Sequence, residues 1–90
     1  MVVMVKIPAQ LRAVTDGEGE IEVDGSTVGE ALDAVFSQHE DLESRITEDG
    51  DLRRFVNVYV GGEDIRYRDG LETAISDGDE VTILPAVAGG

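Results

Sequence analysis

Few side chains in this 90-residue sequence can do chemistry by themselves. Cysteine is absent and histidine occurs once, at His39. Without cysteine the chain has no disulfide, thiolate metal site, iron–sulfur cluster or thiol nucleophile. His39 stands at the end of a helical pattern and no nucleophile pairs with it. Its expected role is structural, a cation placed where the helix dipole favours one. Gly61–Gly62 is followed by neither Lys-Ser/Thr nor the start of a long helix, as a phosphate loop would require. It reads as a hairpin turn. The carboxylates of "EDGD", Glu48 to Asp51, lack the spacing and the closing glutamate of a calcium loop and read as a solvated loop.

What remains is the final stretch, "ILPAVAGG", from Ile83 to Gly90. An apolar run stops at Pro85 and trails into Ala86, Val87, Ala88, Gly89 and Gly90. Glycine averages about 7% of residues, and this chain holds 11 in 90. Two terminal glycines therefore arise by chance in roughly 1.5% of such sequences. A frayed leftover is the competing explanation, and the elements that would position the ending decide between them.

"VVMVKI" (Val2 to Ile7) is a β-branched run halted by Pro8, and reads as a strand. "TDGEGE" is a turn by composition. "EIEVDG" alternates Ile21 and Val23 with acidic residues, the pattern of a strand wet on one face, so the first two strands form a hairpin. In "STVGEALDAVFSQHE", Thr27 and Glu30 make a capping box, with the hydroxyl accepting the third helical amide and the carboxylate reaching back. Val28, Ala31, Leu32, Val35 and Phe36 follow as one apolar stripe. Gly29 weakens the first turn, and its small size suits close packing on the sheet.

"DLESRITEDGDLRR" is polar and reads as a short turn or loop anchored by Leu42, Ile46 and Leu52. "RFVNVYV" (Arg54 to Val60) is a strand with Val56, Val58 and Val60 on one face and Phe55, Asn57 and Tyr59 on the other. Gly61–Gly62 turns into a short partner strand in "EDIRY". A looped segment with apolar Leu71, Ala74 and Ile75 leads through "SDGD" to a last strand from Glu80 to Leu84, which Pro85 stops while holding Leu84 extended. The expected order is β–β–α–β–β–β, an α+β domain over residues 1–84 with a mixed sheet of four to five strands covered by one main helix. A flexible tail, residues 85–90, follows.

Formal net charge is −13, and thirteen of the twenty acids fall between Asp16 and Asp51 with Arg45 the only Lys or Arg among them. Such a surface repels nucleic acid and anionic lipid and favours partners with basic grooves. Solubility alone accounts for it equally well. The apolar N-terminal run is too short for a signal peptide and its lysine follows it. No stretch approaches the roughly 18 apolar residues of a membrane span, so the cytoplasm is the expected location. Arg53, Arg54, Arg66 and Arg68 either form a basic spot near the tail root or pair with the chain's own acids. Phe55 and Tyr59 either face a partner or pack under the loop from Asp41 to Asp51.

These pieces together resemble the β-grasp, ubiquitin-like sulfur carriers, the group (MoaD/ThiS type) that contains the molybdopterin-synthase small subunit and the thiamine sulfur carrier. The matching residues span nearly the whole chain. They are the opening strand followed by Leu11–Arg12, the helix "STVGEALDAV", Val56–Asn57, and above all "DGDEVTILPAVAGG": an Asp77-Gly78-Asp79 turn, a last strand, a proline-containing tail and a terminal Gly89–Gly90. "RFVNVYVGGEDIR" and "GLETAISDGDEVTILPAVAGG" are most similar to the CysO type of carrier used for cysteine biosynthesis in actinobacteria.

The resemblance implies a protein co-substrate, not an enzyme. An ATP-dependent E1-like enzyme would adenylate the Gly90 carboxylate, and sulfur would displace AMP to leave a thiocarboxylate nucleophile. Pro85, Ala86, Val87, Ala88 and Gly89 would bind the partner's channel. The glycines allow close backbone approach, the alanines are slim, Val87 offers one apolar contact, and Pro85 lowers the ordering cost of docking. Further implied partners are a pyridoxal-phosphate (PLP)-dependent cysteine synthase as sulfur acceptor and a metal-dependent peptidase. ATP, pyridoxal phosphate and metal would belong to those partners, and no cofactor would be bound permanently here. The same ending would also serve a ubiquitin-like modifier conjugated through Gly90, or the small subunit of a molybdopterin-synthase-like complex.

Overall fold

Val3 and Val5 are buried in the first strand, β1 (Val2–Lys6), while Val2, Met4 and Lys6, which alternate with them, are not, as a strand with one wet face requires. The computed structural model describes residues 2–49, 51–53 and 56–85. After β1 a 3-10 helix, Ala9–Thr15, tucks Leu11 and Thr15 inward and ends at Asp16 in the left-handed region, φ 56°. The buried Thr15 hydroxyl faces two carbonyls, those of Arg12 at 3.2 Å and Glu18 at 2.8 Å. Strand β2 (Glu20–Asp24) returns antiparallel, setting Ile21 opposite Val5 and Val23 opposite Val3.

Helix α1 (Val28–Gln38) buries the five stripe residues expected of it. Thr27 Oγ1 accepts the Glu30 N–H at 3.2 Å, but the Glu30 carboxylate reaches Ser26 instead of the cap residue. Thr27 lies in an isolated bridge with Ala74, bounded by the bonds Val28 N–H to Thr73 O and Ile75 N–H to Ser26 O. Gly29 packs on the carbonyl of Leu71, 3.1 Å from where a Cβ would stand, so its neighbour is a 3-10 turn and not the sheet.

The polar segment expected to be a loop is a second helix, α2 (Glu40–Ile46), followed by a two-residue ribbon, β3 (Thr47–Glu48) with β4 (Asp51–Leu52). Seven residues cannot hold a helix in water alone. Leu42 and Ile46, four apart, are fully buried and supply the packing, while Glu40, Asp41 and Glu43 lead the helix and Arg45 closes it, as the dipole favours.

Strand β5 (Val56–Val60) buries its three valines. Gly61 and Gly62, at φ 60° and 84°, make the two-residue turn that only positive φ at both positions allows, and β6 (Glu63–Asp64) pairs back. Two 3-10 turns follow, Ile65–Tyr67 and Gly70–Glu72. Ile65 and Ile75 are buried; of the apolar residues in the looped segment Ala74 is exposed, and Thr73 beside it is buried. The last strand, β7 (Glu80–Pro85), lies centrally in a five-stranded sheet ordered β2-β1-β7-β5-β6. It runs parallel to β1 and antiparallel to β5. One sheet face packs under α1, and α2 packs against α1 and the 3-10 helix Ala9–Thr15, which is the α+β, β-grasp architecture.

Candidate functional site

Everything the sequence assigns to function hangs from the end of β7. Val81 and Ile83 point into the core and are fully buried, so the strand is fixed by packing up to its last turn of pleat. Its support then narrows. β1 pairs no further than Lys6 with Thr82. Beyond that, among the described residues, only β5 holds the strand, through Val58–Ile83, Asn57–Leu84 and Val56–Pro85.

Pro85 was expected to stop the strand after Leu84, yet it occupies the last paired position. The reason is local. Val56 donates its N–H to Arg53 O at 3.0 Å and its carbonyl accepts from Arg66 Nη2 at 2.8 Å. Neither group turns toward Pro85, so this pair uses no ladder hydrogen bond and a residue without an N–H fits.

The arginines of this region divide. Arg68 Nε lies 3.4 Å from Glu63, and Arg53 Nη1 lies 3.9 Å from Glu48 while its Nε donates to Ser44 O. Arg66 instead binds neutral oxygens: Nη1 to Asn57 Oδ1 at 2.6 Å, and Nη2 to Val56 O and, at 3.2 Å, to Arg53 O. Arg54 and Phe55 lie outside the described residues. Of the two alternatives for the basic residues, pairing with the chain's own acids describes Arg53 and Arg68, and Arg66 follows neither.

The outer sheet face leads to this point. Leu84 is 46% exposed beside half-buried Asn57, Tyr59 and Thr82, with Met4 one strand over and Val2 exposed at its end. Lys6 and Glu80 pair across the face at 3.3 Å, both largely in water, a contact worth no more than about 1 kcal/mol. His39 sits at the junction of α1 and α2, largely buried, with Nε2 3.7 Å from Glu18. Its place at the end of α1 is the expected one, but it also begins α2, whose dipole does not favour a cation there. Among the described residues no cluster of three metal-ligating side chains occurs, and no helix is long and apolar enough to cross a membrane.

Of the predicted site residues, Pro85 is thus placed at the root of the ending. Ala86, Val87, Ala88, Gly89 and Gly90 lie outside the described residues. What sequence reading missed is Arg66 as a clamp. Its only signal is position, one arginine shortly after a hairpin that covers only part of β5.

The model of the ThiS family matches residues 5–90, from within β1 to the final glycine. The chain belongs to the ThiS family. Within it, the chain is 45% identical over 93 residues to the sulfur carrier protein CysO of Mycobacterium tuberculosis, covering 100% of both chains. It is 40% identical over 67 residues to small archaeal modifier protein 3 of Haloferax volcanii, covering 74% of this chain and 73% of that one. Among solved structures, CysO in the Amycolatopsis orientalis BexX/CysO complex superposes with a TM-score of 0.92 at 50% identity, over 98% of this chain and 99% of that one. Proteins named as sulfur carriers are small carriers rather than enzymes.

Proposed function

We propose that this ThiS-family protein is a sulfur carrier whose Gly90 carboxylate is the reacting group. A free carboxylate is a poor electrophile because oxide would have to leave. An ATP-dependent E1-like enzyme lets a Gly90 oxygen attack the α-phosphorus of ATP, releasing pyrophosphate and forming an acyl-adenylate. Hydrosulfide then attacks the carbonyl carbon, the bond to AMP breaks, and a thiocarboxylate remains whose sulfur is the nucleophile.

The chain's own contribution is delivery. β7 carries the backbone to Pro85, and Ala86, Val87, Ala88 and Gly89 are slim enough to enter a narrow channel. The exposed face around Leu84 and Tyr59 is where the activating enzyme docks. In cysteine formation, the thiocarboxylate attacks an activated serine derivative on a PLP-dependent synthase, and a metal-dependent peptidase frees the product. ATP, pyridoxal phosphate and metal reside on those partners.

The observation that carries this reading is the full-length match to a sulfur carrier together with a family match reaching Gly90. The test is intact mass after incubation with the activating enzyme, ATP and sulfide. The expected gain is that of one oxygen replaced by sulfur, lost when Gly90 is deleted. The likeness to a small archaeal modifier favours a second reading, conjugation of Gly90 to lysine amines, because an amine traps the same adenylate. Ladders of conjugates in a cell extract, without sulfur gain on the free protein, would select it.

A further inference from the structure

Strand β6 covers only Tyr59 and Val60 of β5. Further along the same edge, toward the beginning of β5, no strand among the described residues lies beside Val56, and its carbonyl would face water. Arg66 fills that place. Its fork spans the Val56 and Arg53 carbonyls and the Asn57 side chain at 2.8, 3.2 and 2.6 Å. Charge-assisted bonds of this kind are shorter and stronger than neutral ones.

The arginine is itself fixed at its base. Asp64 Oδ1 accepts the Arg66 N–H at 2.8 Å, and the preceding Ile65 is fully buried. The backbone of Arg66 is therefore anchored, and the guanidinium of this exposed residue is held by its three oxygen acceptors. Across β5 from the fork stand Leu84 and Pro85, the partners of Asn57 and Val56. Ladder ends fray most readily, and here the end pair contributes no hydrogen bond.

We infer that Arg66 is the positioning residue of the tail. By pinning Val56 and Asn57 it fixes where, and in which direction, the chain leaves the sheet toward Gly90. This rests on the proposed carrier function, since what it positions is the reacting carboxylate. Lysine cannot replace it: one ammonium is a point donor and does not span three oxygens.

The experiment compares wild type, Arg66→Ala and Arg66→Lys in two readouts. Amide hydrogen exchange reports on Leu84 against Val58 and Val81. Steady-state loading with the activating enzyme, ATP and sulfide separates kcat from KM. In both variants exchange at Leu84 should quicken about tenfold or more while Val58 and Val81 hold their rates. Loading kcat should fall on the order of tenfold with KM little changed, as expected when a bound reactant is held in poorer alignment.

Unchanged Leu84 exchange overturns the inference, as does quickened exchange with unchanged kcat. Arg66→Lys behaving as wild type in both readouts also overturns it, by showing that charge and not the fork matters. Uniform quickening at all three amides would mark a merely structural residue and overturn it too. Wild-type protein that never loads overturns the carrier function and this inference with it, whereas normal wild-type loading beside equal variant kcat overturns the inference alone.

Discussion

Ser26 donates both its backbone N–H and its hydroxyl to Glu30 Oε1, at 2.9 and 2.8 Å. The backbone bond first, then the hydroxyl bond, hold the Glu30 carboxyl below its ordinary value of 4.5. A depressed folded value means that the unfolded chain binds the proton more tightly, so the charged carboxylate stabilises the folded state. That contribution is fully present above pH 4.5 and is lost as pH falls through the lowered folded value. Glu30→Gln should therefore melt below wild type at neutral pH, with the gap closing as the buffer is taken below pH 4.5. Thermal melts across an acid series check it, and a gap that persists unchanged at the acid end would refute the assignment.

Gly25 and Gly29 flank that cap and should respond differently to the same methyl group. Neither has positive φ, so alanine's backbone preferences do not decide the outcome. A Cβ on Gly25 would lie 2.9 Å from Ala31 N and 3.2 Å from its Cα, both backbone atoms of a packed helix. Overpacking there costs about 1–3 kcal/mol, more than the roughly 0.4–1 kcal/mol gained by stiffening the unfolded chain. On Gly29 the contact is 3.1 Å to Leu71 O in a 3-10 turn, and alanine inside a helix gains about 1 kcal/mol over glycine. Gly25→Ala should be clearly destabilised and Gly29→Ala close to neutral in urea titration.

Most of this fold is legible in local pattern. The valine alternation in β5 and the stripe of α1 each bury the residues their periods select, because one face of each must be dry. Helix α2 is invisible to that reading because seven residues give too few repeats of the period. Its only pointers are Leu42 and Ile46 four apart and acids ahead of Arg45. The burial of Thr73 beside an exposed Ala74 turns on the bridge between Thr27 and Ala74, a pairing of residues far apart in sequence that no short window contains. The candidate site divides likewise. Its slim ending is written in consecutive residues, whereas the Arg66 fork joins 53, 56, 57 and 66 and exists only after folding.

Asp77 ties the beginning of the chain to the turn before β7. Its Oδ1 accepts the Val2 N–H at 2.8 Å, and the next residue, Gly78, donates its N–H to Val2 O at 2.8 Å. Asp79 closes the turn by accepting the Ser76 N–H at 2.7 Å. Asp77→Ala removes one charge-assisted bond at an exposed site. It should cost about 1 kcal/mol and quicken exchange of the Val2 amide, with the β5–β7 amides unaffected. Quickening along β5 as well would mean that the turn governs the whole sheet.

Leu84 and Ile83 are neighbours on β7 that face opposite ways, which lets docking be separated from folding. Ile83 is fully buried, and Ile83→Ala should cost about 2–5 kcal/mol through the lost contacts and the cavity left behind. Leu84 is 46% exposed on the outer face, so Leu84→Ser should change stability by about 0.5 kcal/mol or less. If the activating enzyme docks on that face, an apolar contact beside the tail root contributes to binding without touching the reacting carboxylate. Leu84→Ser should then raise the KM for loading about tenfold, as loss of one well-buried interface side chain does, and leave kcat near wild type. The opposite split, lowered kcat at unchanged KM, would place Leu84 with the alignment of the tail instead of the docking surface. An unchanged KM and kcat would remove this face from the interface.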